Sequence, residues 1–135
     1  MILHCTQKLA KKLPDVSKGA HGETSPLGSW HANLYTIDRH NCVLFCHDAT
    51  RYTVFIPGLR KAQFVELGRW LKEAFLASLA YMGMEDNPVH RAELALGPVQ
   101  FDTVTRWLCH YPVDLKGKDG YWMADKAMKE CVGAL

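Results

Sequence analysis

The chain reads as an α+β domain. We expect a mainly antiparallel sheet, centred on a three-stranded meander and packed by one long amphipathic helix, with a mostly helical C-terminal tail. Two patterns predict this. Residues 30 to 57, WHANLYTIDRHNCVLFCHDATRYTVFIP, hold three β-rich runs separated by two turn-forming tetrads. Residues 61 to 82 place Phe64, Leu67, Leu71, Phe75, Leu79 and Met82 at three- or four-residue steps, the spacing of a helix that buries one face. A length of 135 residues suits one core, so residues 1 to 135 are read as a single domain.

In chain order, residues 2 to 5 make a short first strand. Thr6 can cap a helix over 7 to 13, with Leu9 and Leu13 on one face, and Pro14 ends it. Residues 14 to 29 are rich in Gly, Ser, Pro and Asp and form a long loop. The meander strands are 30 to 37, 42 to 47 and 52 to 56. Asp38-Arg39-His40-Asn41 is predicted as a four-residue hairpin loop on a type I turn, and Asp48-Ala49-Thr50-Arg51 as a second turn. Pro57-Gly58 is predicted to stop the third strand.

The helix over 61 to 82 carries Arg69 within reach of Glu66 and Glu73, and Gly83 lies where a C-terminal cap belongs. Trp70 sits at the edge of its apolar stripe. A weaker helix is expected over 89 to 96 and a further strand over 99 to 104. The tail should hold Trp107 and Leu108 in helix, a polar turn at 116 to 120, and a helix from 121 to 132.

Composition excludes several classes. Hydrophobic residues make up 48% and charged residues 22%, ordinary values for a soluble globular protein. A net charge of +2 does not by itself argue for nucleic acid. Lys8, Lys11, Lys12 and Lys18 cluster early, a pattern that usually marks a solvated face. No apolar run approaches the roughly 20 residues of a membrane span. The opening residues lack a basic region followed by a long apolar one, so they do not read as a secretory signal. The five cysteines, Cys5, Cys42, Cys46, Cys109 and Cys131, are then expected as reduced thiols in the cytoplasm.

Cys42, Cys46 and His47 invite a metal reading, and strand geometry opposes it. Four steps of about 3.3 Å separate the two thiols by roughly 13 Å along one strand. Two thiolates on one zinc, at bonds of about 2.3 Å, must lie within about 4 Å of each other. No metal and no cofactor is expected. Cys5 ends the first strand and immediately precedes a predicted helix start, where oriented N–H groups can favour a thiolate. It is the candidate nucleophile, with His31 or His47 as the candidate base from the meander. His4 points to the opposite face and cannot serve Cys5 directly. Asn33 and His47 are expected to share a face of the meander, with Tyr52 nearby. The His47-Asp48 step is a weak hint of base chemistry, against which Asp48 and Thr50 as turn caps is the plainer reading. Phosphate-binding glycine loops, a nucleophile elbow and an H-E-x-x-H pair are all missing.

Ile2-Leu3-His4-Cys5-Thr6-Gln7-Lys8-Leu9 is similar to the start of a family of small bacterial proteins of unknown function. There a hydrophobic-His-Cys-Thr-x-Lys-Leu strand precedes a Trp-x-Ala-Asn-Leu strand, which Trp30-His31-Ala32-Asn33-Leu34 resembles. Val43-Leu44-Phe45, Thr50, Phe55-Ile56-Pro57-Gly58-Leu59 and Asp102-Thr103-Val104 resemble later segments of the same family. The likeness spans residues 1 to 104. From Arg106 onward the expected Ser-Val-x-Gly-Ser-Met-like stretch is absent. The resemblance implies a small α+β domain and brings no activity, cofactor or catalytic residue. It singles out His4, Cys5, Thr6, Lys8, Trp30 and Asn33 as a defining cluster.

Three functions are compatible with these readings. The first is a small cytoplasmic module that binds a protein or small molecule through the apolar-aromatic sheet, a homodimer being compatible with it. The second is a hydrolase- or transferase-type enzyme using Cys5 with a meander histidine. Nucleic-acid binding through Lys8, Lys11, Lys12, Arg51 and Arg60 ranks last.

Overall fold

The computed structural model of the chain describes residues 1–19, 22–103 and 124–135. Its strands are β1 (Ile2–Cys5), β2 (Trp30–Ile37), β3 (His40–His47), β4 (Thr53–Leu59) and β5 (Gln100–Asp102). Its helices are α1 (Gln7–Ala10), α2 (Lys61–Val65), α3 (Leu67–Tyr81), α4 (Asp86–Leu96) and α5 (Ala124–Gly133). The five strands form one sheet in the order β4-β3-β2-β1-β5. The meander β2-β3-β4 is antiparallel, as its short connections require. β1, however, runs parallel to both β2 and β5. The sheet is therefore mixed, which corrects the mainly antiparallel expectation. Local alternation foretells hairpins, whereas the parallel pairs join residues far apart in the chain.

The turns differ in detail. Ile37 pairs directly with His40, leaving a two-residue loop with Asp38 and Arg39 both at positive φ, 49° and 66°. Such a loop matches the twist of the flanking strands better than the four-residue type I turn expected. The loop over 48 to 51 has four residues, closed by the Arg51 N–H donating to the His47 carbonyl at 2.8 Å. Pro57-Gly58 does not end β4. The pairs Asn41–Leu59 and Val43–Ile56 enclose one extra residue on β4, a bulge with Gly58 at φ 66°. Proline is tolerated because β4 is an edge strand and needs no donor on its outer side.

Thr6 caps α1 as expected, its hydroxyl accepting from the Leu9 N–H at 3.3 Å, but the helix stops at Ala10. The predicted helix over 61 to 82 is broken at Glu66 (φ −117°, ψ 33°) into α2 and α3. The apolar spacing survives the break, and Phe64, Leu67, Leu71, Phe75 and Leu79 are all buried. At the start of α3, Gly68 lies so close to the chain entering β5 that a Cβ there would be 2.9 Å from the Cβ of Val99. Spacing alone carries no signal of that approach. Gly83, at φ 86°, comes just after α3. The expected helix at 89 starts earlier, at Asp86, and the strand at 99 to 104 is shorter. α4 packs on α3, and α5 on α4. The expectations for Trp107, Leu108 and the turn at 116 to 120 lie outside the described residues. No helix among the described residues is long and apolar enough to cross a membrane.

Strand parity divides the sheet into two faces. Leu3, Cys5, Trp30, Ala32, Leu34, Val43, Phe45 and Val54 point to one and join the helices in the core. Trp30 meets Phe75 of α3 edge-on at 5.1 Å between ring centroids. The Leu, Val and Phe side chains on this face each contribute about 1.5–3 kcal/mol by leaving water. His4, His31, Asn33, Cys46, Phe55 and Asp102 belong to the other face.

Candidate functional site

The chemistry gathers on that second face, where β1, β2 and β5 lie side by side. The register pairs His4 with His31 across β1–β2 and His4 with Asp102 across β1–β5. His4 therefore lies between His31 and Asp102 on one face of the sheet, within reach of both. His4 Nδ1 lies 2.6 Å from Asp102 Oδ1, and Asp102 is fully buried. His31 Nδ1 lies 2.5 Å from Asp48 Oδ1, from the loop after β3. The two imidazole rings are 4.8 Å apart, tilted by 42°. Two histidines, each held by a carboxylate, thus stand against one another.

The pairing has a chemical consequence. An ionised carboxylate only accepts, so each neutral imidazole must donate from Nδ1. The basic lone pair is then on Nε2 in both rings, as when a carboxylate orients a catalytic or metal-binding histidine. His31 is buried, and His4 keeps 15% of its side chain exposed. Next along β2, Asn33 Oδ1 accepts from the Thr6 hydroxyl at 3.0 Å, tying this face to the cap of α1. Cys46, paired with His31 in register, has its pKa raised by burial, with Arg51 pulling the other way.

Several candidates from the sequence lie elsewhere. Cys5 is on the core side, fully buried, and its thiol is pushed up to about 12 by burial and then by the charge of Asp102. Its Sγ contacts the Leu3 carbonyl at 3.6 Å. A thiol protonated at neutral pH and closed to solvent is a poor nucleophile, so the geometry weighs against that role. His47 also faces the core, against Trp30 at 5.0 Å, and so does not share a face with Asn33. Its Nε2 donates to the Leu27 carbonyl at 2.5 Å. Its Nδ1 accepts from the Thr50 hydroxyl at 2.8 Å and the Thr50 N–H at 3.3 Å. Both nitrogens are consumed, and burial lowers its pKa. His47 is a neutral structural group, not a base.

Trp30 is wholly buried. The Tyr52 hydroxyl donates to Ser78 Oγ at 2.7 Å, and the tyrosine ring packs edge-on against Phe75. Neither presents a binding surface. Lys8 is exposed on α1. The reading of Asp48 and Thr50 as turn caps divides: Thr50 caps, accepting from the Tyr52 N–H at 3.2 Å, while Asp48 goes to His31.

The residues the sequence did not assign are Asp102 and Asp48 as histidine partners. Parity marks His4 and His31 as outward from the core, but only the parallel register brings them together. Among the described residues, no group of three or more His, Cys, Asp or Glu is arranged to hold a metal ion.

The class defined so far is a small α+β domain with a carboxylate-anchored histidine pair on one sheet face. The family described as Domain of unknown function (DUF6933) matches residues 2–106, and the chain belongs to it. The match takes in the whole described sheet and stops short of α5. No curated protein and no solved structure matches.

Proposed function

We propose that the protein is a binding module whose ligand meets the sheet face at His4 and His31. The observation that carries this reading is the pair itself: two rings 4.8 Å apart, each fixed through Nδ1 by a carboxylate. Preset tautomers make His4 an acceptor aimed through Nε2, and orienting it costs a ligand nothing further. A ligand that donates a hydrogen bond, such as a hydroxyl- or amide-bearing small molecule or peptide, fits this chemistry. The thiols of Cys5, Cys42, Cys46 and Cys131 are free, which supports a reducing, cytoplasmic setting.

A second reading is favoured by the same anchoring. A carboxylate-held imidazole is the arrangement of a general base, so acid–base catalysis by His4 with His31 replaces the thiol mechanism. The two readings separate in one experiment. Ring-nitrogen NMR on the wild-type protein, titrated with a panel of small polar compounds, should show a compound that shifts His4 and His31 together. His4→Ala should then weaken its binding by about tenfold or more, the worth of one lost good hydrogen bond. Compounds that shift only distant residues would sink the binding reading. Under the catalytic reading, turnover of a bound compound should fall by about 10²–10⁴ in His4→Ala.

A further inference from the structure

We propose that a second site, a cleft between the end of α1 and the start of α2, binds a phosphate group. The cleft encloses about 260 Å³ and is lined by Lys11, Lys12, Asn41, Lys61 and Phe64. Three segments distant in sequence build it. Leu9 is buried and anchors α1, leaving Lys11 and Lys12 exposed on the turn at its end. The bulge at Pro57-Gly58 sets Leu59 opposite Asn41, so α2 begins with Lys61 two residues further on. Phe64, buried on α2, forms an apolar floor.

The charges are what make this cleft unlike an ordinary lysine-bearing surface. Among the described residues, no carboxylate lines it. Among the described residues, none of the three lysine side chains makes an ion pair or a hydrogen bond, and neither does the Asn41 side chain. Arg69 on α3, by contrast, is held by both Glu66 and Glu73. Three unpaired ammonium groups around one small cavity repel one another, and an anion at their centre removes that repulsion. A phosphate monoester carries about −1.5 to −2 charge at neutral pH and three acceptor oxygens. The lysine ammonium groups are pure donors, and the Asn41 amide offers its NH2 as a further donor. The volume is just under the roughly 300 Å³ at which drug-sized pockets begin, so it suits a phosphate with a small attached group resting on Phe64.

The test is calorimetric titration of the full chain with inorganic pyrophosphate at low salt, repeated with a ten-residue oligothymidylate. Saturable binding at one site is expected, weakened about tenfold or more by Lys61→Glu and by Lys12→Glu, and left unchanged by Lys126→Glu on α5. All three lysines are exposed, so these variants should fold, and circular dichroism checks it. The second titrant distinguishes the source of the phosphate. An oligothymidylate that binds no tighter than pyrophosphate points to a small phosphorylated compound. One that binds about a hundredfold tighter, with affinity falling linearly against salt on logarithmic axes, points to a nucleic-acid strand. Binding of neither titrant, or a loss in Lys126→Glu equal to that in Lys61→Glu, overturns the site.

Discussion

The two faces of the sheet use the same residue types to opposite ends. On the helix side, His47 has both nitrogens committed, one to a backbone carbonyl and one to Thr50, and nothing of it is exposed. On the other side, His4 and His31 are each held through Nδ1 by a carboxylate and lie ring against ring. A neutral partner and burial make a structural histidine, held uncharged. A carboxylate partner fixes the ring's orientation and tautomer. Cys5 and Cys46 divide in the same way, the first sealed in the core and the second half-buried beside Arg51. What separates these groups is the parity of the strand position, not the side chain.

The comparison can be broken first in the core. Phe75 is wholly buried and touches both Trp30 and Tyr52, so Phe75→Ala should cost about 3–5 kcal/mol in chemical denaturation. A loss below about 1 kcal/mol would mean that this face is not the tightly packed one. Gly68→Ala should cost about 1–3 kcal/mol, because the added Cβ meets Val99 and neither α3 nor the approach to β5 can yield freely. An unchanged denaturation midpoint would show that α3 stands further from β5.

The next two tests sharpen the division between the histidines and between the thiols. The His47 pKa is lowered in the folded protein from its ordinary value of 6.5, chiefly by burial. The unfolded chain then binds a proton that the folded one refuses. Stability present above pH 6.5 is therefore lost as pH falls through the folded pKa. Glu23 adds a second loss in the same direction at lower pH. Burial works to raise its pKa, but hydrogen bonds from Ser25, Ser29 and the Ile2 N–H bring it below its ordinary 4.5. Tm should fall between pH 7 and 5.5, and His47→Gln, though less stable, should flatten that slope. A slope unchanged by the substitution would move the titration to another group. Smallest in energy is the thiol comparison. Under native conditions, alkylation mapped by mass spectrometry should modify Cys46 at least about tenfold faster than Cys5. The reverse order would restore Cys5 as a reactive group.

Much of the fold was legible because its rules are local. The β-rich runs and turn residues between 30 and 57 announce hairpins, and the stripe from Phe64 to Leu79 announces a buried helix face. Thr6 announces the cap of α1, although the helix ends at Ala10, short of Pro14. The misses share a cause. The mixed sheet depends on where β1 and β5 come to lie, and the close approach of Gly68 to Val99 depends on the same placement; nothing within a window of a dozen residues reports it. The site was half legible. His4 and His31 are candidates from the sequence, but so are Cys5, His47, Trp30 and Tyr52, which the fold places on the core side. Parity alone separates Cys5 from His4. It could not supply Asp102, which is 98 residues from His4 along the chain.

By itself, then, the sequence determined the meander, the buried stripe of α3 and which residues alternate across each strand, because periodicity and turn chemistry act between near neighbours. Tertiary structure alone decided that β1 lies between β2 and β5. That placement brings Asp102 to His4 and His4 to His31, and the bulge in β4 similarly brings Lys61 to Lys11 and Lys12. The strand pairings join residues across long stretches of chain, which local periodicity does not report. A carboxylate becomes a histidine's partner only when such a register is chosen.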